Sequence, residues 1–249
     1  MTTTPSIDLQ TAEAETRHAL AALYRLVAHF RMTDLVDTHI SARIPGTPDH
    51  FLINRYGVLF HEMQPGDLVK IDPSGKAVDD VRDPGNGSQR VNVAGFTIHS
   101  AVHMARHDLA CVIHTHTADG MAVSCQQEGL LPISQHALKF YGRMGYHAYE
   151  GIALDLKERD RLVRSLGTHR VMILRNHGLL AAGRTIAEAF LNIYFLERAC
   201  QAQVKALSGG RPLSLPPPDV CERTARQFDR EESLAHAQMA WESALRLLD

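Results

Sequence analysis

The sequence predicts an α/β fold built on a mixed or antiparallel sheet. Three observations carry that expectation: short apolar runs rich in β-branched residues, longer segments whose apolar positions recur every three or four residues, and short connections that make the two kinds alternate. The chain has 249 residues, 45% hydrophobic and 22% charged, the composition of a globular protein able to bury one sizeable core. With 26 Lys+Arg against 28 Asp+Glu, no basic field is available to recruit nucleic acid or anionic lipid. The N-terminus is polar, without the apolar core of a signal peptide, and no apolar run approaches the roughly 18 residues of a membrane span. A cytoplasmic protein with neither nucleic-acid nor membrane partners is therefore expected. Cys111, Cys125, Cys200 and Cys221 lie far apart with no C-x-x-C pair, and read as small buried hydrophobes.

Residues 13–30 place Leu20, Leu23, Leu26, Val27 and Phe30 at helical spacing. Residues 51–54 and 68–71 read as antiparallel strands, parted by Gly57 and the Pro65-Gly66 turn pair. After a polar loop over residues 79–88, Asn92 looks like the N-cap of a helix running to about Arg106. Residues 109–114 form the most strand-like run of the chain, and a helix is expected over 119–127. The stretch around Pro132 and over 142–151 reads as irregular. A helix over 156–166, stopped by Gly167, leads to a buried strand over 171–174. Another apolar run, 179–182, precedes a long helix from Thr185 to about Leu207, with Glu188 placed as capping-box partner. Beyond Ser208-Gly-Gly and Pro216-Pro-Pro, one last helix is expected over roughly 219–248. No internal repeat is visible.

The unusual count is 15 histidines, and spacing decides which of them carry chemistry. His114-Thr115-His116 ends the strand-like run; residues i and i+2 of a strand share a face, so both imidazoles can reach one ion at about 2.0–2.1 Å. The best third ligand is His177, in Asn176-His177-Gly178, where another buried run stops and Gly178 lets the backbone turn tightly. Three neutral imidazoles leave a divalent ion its full charge and open positions for substrate, the pattern of a catalytic site. His99 and His103, at i, i+4 spacing with His107 one turn on, form a rival pair but lack the glutamate of H-E-x-x-H. A supporting role suits them better, with His99 orienting a group in the pocket. His18, His29, His50, His169 and His236 lie in surface-like or terminal contexts.

The run NVAGFTIHSAVHMARHDLACVIHTHTADGMAVS from Asn92 to Ser124, with GLLPIS from Gly129 and VMILRNHGLLAAG from Val171, resembles the class II aldolase and adducin head-domain family. Weaker similarity covers residues 37–43 and 57–72. The resemblance implies a three-layer αβα domain over residues 11–210, with 211–249 a C-terminal helical extension packed on it. It also implies a divalent ion on His114, His116 and His177, zinc first, with manganese or iron as alternatives, and a homotetramer acting on a small-molecule substrate.

Departures from the family's sugar-phosphate aldolases narrow the chemistry. Where those enzymes carry a metal-binding, proton-transferring glutamate before the first metal histidine, this chain has Gly95. Their phosphate-binding positions read here as Thr38-His39-Ile40-Ser41, Asn54-Arg55-Tyr56-Gly57 and Val93-Ala94, so most phosphate donors are gone. The version of the helix with Ala94-Gly95-Phe96 is closer to adducin heads, and relatives outside the sugar aldolases resemble a pyridine-dicarboxylate decarboxylase and an iron-dependent oxygenase. The expected function is a metal-dependent lyase, aldolase- or decarboxylase-type, cleaving a carbon–carbon bond of a small non-phosphorylated oxo- or hydroxy-acid through a metal-stabilised enolate. The alternatives are a non-haem iron oxygenase and a non-catalytic, adducin-like oligomerisation module. Candidate proton-transfer residues are His39, His61, Tyr141 and Tyr146; candidate substrate-binding residues are Asn54, Arg55, Gly57, Gly95 and His99, with Arg55 positioned to clamp a carboxylate.

Overall fold

A computed structural model describes residues 8–78, 91–153, 155–230 and 232–249. In chain order the elements are helix α1 (Leu9–His29), strands β1 (His39–Ile44), β2 (Thr47–Asn54) and β3 (Leu68–Ile71), helix α2 (Val93–Ala105), strand β4 (Cys111–Thr115) and helices α3 (Ala118–Ser124) and α4 (Gln135–Leu138). There follow β5 (Met144–His147), α5 (Arg159–Leu166), β6 (Val171–Leu174), β7 (Gly178–Gly183), α6 (Ile186–Ser208), α7 (Pro218–Phe228) and α8 (Ser233–Leu245). The polar loop expected over 79–88 lies outside the described residues.

The strands form one seven-stranded sheet in the order β3-β2-β1-β4-β7-β6-β5. Only β5 and β6 pair in parallel; the sheet is mixed, as the sequence predicts. Helices cover both faces, which explains why β6 and β7 are apolar at every position rather than at alternate ones. Successive residues serve opposite layers: Cys111 and Ile113 pack with α1 and α6, while Val112 packs with α2 and α5. The same alternation divides Val171 and Ile173 from Met172 and Leu174, and Leu179 and Ala181 from Leu180 and Ala182.

Local chemistry sets the helix starts. Asn92 Oδ1 accepts the Gly95 N–H at 3.1 Å to begin α2, and Thr185 Oγ1 accepts the Glu188 N–H at 3.0 Å to begin α6. Gly167, at φ 55°, ends α5. The buried Tyr24 ties α1 to the sheet, its hydroxyl accepting the N–H groups of Ile40 (2.8 Å) and Asn54 (3.0 Å).

Four expectations need correction. Cys125 is exposed, whereas the other three cysteines are buried as expected. The stretch around Pro132 and over 142–151 is not irregular throughout: Ser134 caps the short α4, and β5 adds a parallel edge strand to β6. The last helix is two helices, broken after Phe228, so that Phe228 reaches Phe195 while Trp241 reaches Phe190 farther back along α6. Residues 156–158 form a tight 3-10 turn before α5 rather than its first turn.

Candidate metal centre

His39 and His114 are register partners on the adjacent antiparallel strands β1 and β4, their ring centroids 5.0 Å apart. His116 follows the end of β4. The turn that joins β6 to β7 carries Asn176 at φ 55°, a left-handed conformation that asparagine tolerates, and it brings His177 back over the end of β4. A side chain on Gly178 would collide with the carbonyl of Thr115, so only glycine lets β7 start this close to the triad. The Nε2 atoms of His114, His116 and His177 consequently converge, 2.8 Å, 2.9 Å and 3.2 Å apart.

The outer nitrogens show what the inner ones need. His114 Nδ1 lies 2.9 Å from the Leu179 carbonyl and His116 Nδ1 lies 3.1 Å from Asp34 Oδ2. Both partners are acceptors, so both Nδ1 atoms carry a proton, and in the neutral tautomer this leaves Nε2 as the nitrogen available to a metal. In the neutral tautomers the Nε2 lone pairs of His114 and His116 face each other at 2.8 Å, an arrangement that a shared cation relieves. Ligands on a tetrahedral ion at 2.0–2.1 Å are about 3.3 Å apart, close to the spacing seen. Burial pushes His114 well below the ordinary histidine range and is the largest cause that lowers His177 to about 4; both are neutral near pH 7, as metal ligands must be. Among the described residues, this triad is the one cluster of potential ligands with such geometry.

Behind the triad runs a buried hydrogen-bonded chain. His39 Nδ1 meets His99 Nε2 at 2.8 Å, His99 Nδ1 meets Ser41 Oγ at 2.5 Å, and Ser41 Oγ meets His103 Nε2 at 2.7 Å, with Phe51 stacked on His103. Desolvation holds His39 and His99 well below the usual range and His103 at about 3. His99 and His103 are thus joined through a serine rather than poised around an ion of their own. Gly95 explains the position of His39: a methyl group on Gly95 would sit 2.5–2.8 Å from His39 Cδ2, Cγ and Nε2. The imidazole occupies the space that a side chain at position 95 would need.

The other residues singled out from the sequence lie elsewhere. Asn54 is buried against Tyr24, whose hydroxyl donates to its Oδ1 at 2.9 Å. Arg55 and Gly57 flank Tyr56, and it is Tyr56 that lines the cavity above the triad. His61 is exposed beside Glu62. Tyr141 and Tyr146 line a separate cavity of about 240 Å³, where Tyr146 Oη accepts the Leu130 N–H and its ring carries the Arg175 guanidinium. Sequence reasoning missed Asp34, which orients His116, and Tyr149, whose ring lies 6.3 Å from that of His177. Both sit in loops, and no periodicity marks them.

Comparison with known proteins places the fold in a family. The profile described as Class II Aldolase and Adducin N-terminal domain matches residues 18–204. The chain belongs to that family. A class 2 aldolase-family protein of Pseudomonas aeruginosa is 48% identical over 96% of this chain and 90% of its own length. Rat alpha-adducin is 42% identical over 84% of this chain, which corresponds to 28% of that longer protein. Among solved structures, an aldolase II superfamily protein from Pseudomonas syringae superposes with a TM-score of 0.88 at 49% identity, covering 95% of this chain and 93% of that one. An L-fuculose 1-phosphate aldolase from Glaciozyma antarctica shares the fold, with a TM-score of 0.83 at 24% identity over 99% of this chain and 93% of its own. Membership in this class II aldolase family supports a metal-dependent lyase with a small-molecule substrate, and no described helix is long and apolar enough to cross a membrane.

Proposed function

We propose that the protein is a metal-dependent lyase that cleaves a carbon–carbon bond in a small, non-phosphorylated oxo- or hydroxy-acid. The observation that carries this reading is the convergence of the Nε2 atoms of His114, His116 and His177 to within 3.2 Å of one another. A divalent ion held by these three imidazoles, with zinc, manganese and iron as the candidates, would supply Lewis-acid stabilisation of the negative charge that develops as the bond breaks. Leu179 and Asp34 hold the ligands in the tautomer that leaves Nε2 free.

His39 is the residue for proton transfer. It lines the cavity, fills the space beside Gly95, and is hydrogen-bonded from behind. The chain His39–His99–Ser41–His103 can run in either direction: His39 donating from Nδ1 leaves Nε2 bare as a base, and the reverse leaves Nε2 protonated as an acid. Decarboxylation requires no group to deprotonate an alcohol, which favours it over retro-aldol cleavage where the family's glutamate is replaced by glycine. The likeness to adducin favours a second reading, a non-catalytic oligomerisation module, and the intact triad opposes it. A homotetramer is part of the proposal under either reading.

Protein reconstituted with Zn²⁺, Mn²⁺ or Fe²⁺ should hold about one ion per subunit, and His116→Ala should lose it. Loaded protein incubated with a panel of oxo- and hydroxy-acids should release aldehyde or carbon dioxide. Less than a tenth of an ion per subunit with every metal overturns the lyase reading, and oxygen consumption without cleavage replaces it with the oxygenase.

A further inference from the structure

Above the triad lies a cavity of about 810 Å³, with His39, His116 and His177 in its lining. The start of α2 contributes Val93, Ala94 and Ile98, α3 contributes Met121, and the loop after β5 contributes Tyr149 and Ile152. Large apolar side chains here are left uncovered: Val93 is 55% exposed, Tyr149 53% and Ile152 73%. Surface hydrophobes scattered singly need no explanation, but three that converge on the mouth of one cavity with metal-ligand geometry at its floor mark a binding surface.

The polar inventory is correspondingly thin. Among the described residues the lining contains no lysine or arginine, and its one carboxylate, Asp37, accepts a hydrogen bond from Tyr56 Oη at 3.4 Å. At the first turn of α2, Asn92 Oδ1 already takes the Gly95 N–H, and Val93 and Ala94 bring no side-chain donor. Among the described residues, a second anionic group on a substrate would therefore meet no side-chain cation away from the metal, whereas an apolar group would cover exposed hydrocarbon.

We propose that the ligand held at the triad carries an uncharged apolar group, an aryl ring or a branched alkyl chain, that fills this cavity while its oxygen donors face the histidines. This rests on the lyase reading only in taking the triad as the place where the polar end binds.

Straight-chain alkyl hydroxamates, bidentate metal chelators that need not be substrates, test it by calorimetry on the metal-loaded protein. Affinity should rise about fourfold per added methylene from acetohydroxamate until the cavity is filled. Ile152→Asp and Val93→Asp should flatten that rise while leaving metal content and acetohydroxamate affinity unchanged. A flat series in the wild-type protein overturns the proposal, and so does a rise that both variants preserve. If a second copy of the chain covers these side chains instead, the series is flat and light scattering shows the oligomer dissociating in the Asp variants. Turnover is read separately: steep hydroxamate binding with no cleavage of any aryl- or alkyl-substituted oxo-acid sinks the lyase reading alone, and cleavage with a flat series sinks the apolar ligand alone.

Discussion

At the residue scale, the informative position is one without a side chain. Gly95 lies in the first turn of α2, where alanine would ordinarily favour the helix by up to about 1 kcal/mol. Here the added methyl would press on the ring of His39, which cannot swing aside because His99 holds its Nδ1 and His114 lies against its face. Overpacking of that kind costs about 1–3 kcal/mol, so the clash outweighs the propensity gain. Gly95→Ala should thus destabilise the wild-type protein but stabilise the His39→Ala variant, a change of sign that urea denaturation of the four proteins would read directly. Equal effects in both backgrounds would show that His39 does not fill this space. The candidate metal triad was legible from sequence because strand periodicity puts His114 and His116 on one side and Asn176-His177-Gly178 marks the neighbouring strand end. The position of His39 was only partly legible: the glycine showed that a carboxylate was missing, but the cross-strand register that places His39 there is set by tertiary pairing.

At the scale of elements, β4, β6 and β7 announced themselves as apolar runs and several helices by their caps, whereas β1, buried but mixed in composition, gave no such signal. Elements that rely on a neighbour did not. The edge strand β5, Met144–His147, contains no β-branched residue and exists because β6 offers it a pairing partner. The break between α7 and α8 follows from two aromatic contacts on α6, which no local pattern encodes. Helix α3, which carries Met121 to the cavity, is secured by Thr117: its Oγ1 accepts the Gly120 N–H at 3.2 Å and donates to Glu197 Oε2 on α6 at 2.5 Å. Glu197 is buried, and burial raises its carboxyl above the usual range despite the hydrogen bonds from Thr117 and Gln201. Removing the hydroxyl deprives α3 of its cap and Glu197 of a donor, together worth roughly 2–4 kcal/mol. Thr117→Ala should lower the urea midpoint accordingly, and Thr117→Ser should restore most of it. If serine rescues nothing, the methyl group rather than the hydroxyl holds α3 in place.

For the whole molecule, the cost of the site appears as acid sensitivity. Burial holds His39, His99 and His114 well below the ordinary histidine range, with His103 at about 3 and His177 at about 4. The unfolded chain takes up protons on these groups near pH 6.5, whereas the folded chain does not until each folded value is reached. The unfolded state therefore binds more protons throughout that window, so this stability is fully present above about pH 6.5 and is lost as the pH falls. Around pH 5, His103 and His177 alone contribute a slope on the order of 2–3 kcal/mol per pH unit, against a total of about 5–15 kcal/mol for a typical protein. Carboxylates paired in the fold add their own loss only nearer pH 4, which separates the two effects on the pH axis. Chelator-treated protein should show a urea midpoint that is level between pH 8 and 7 and declines steeply from pH 6.5 to 5. Loading the triad with metal should raise the midpoint at neutral pH and steepen the decline, because protons then compete with the ion for the same Nε2 lone pairs. A midpoint unchanged down to pH 5 would mean that these histidines are not neutral in the folded protein, and the reading of His114 and His177 as neutral imidazoles ready to take a metal would fall with them.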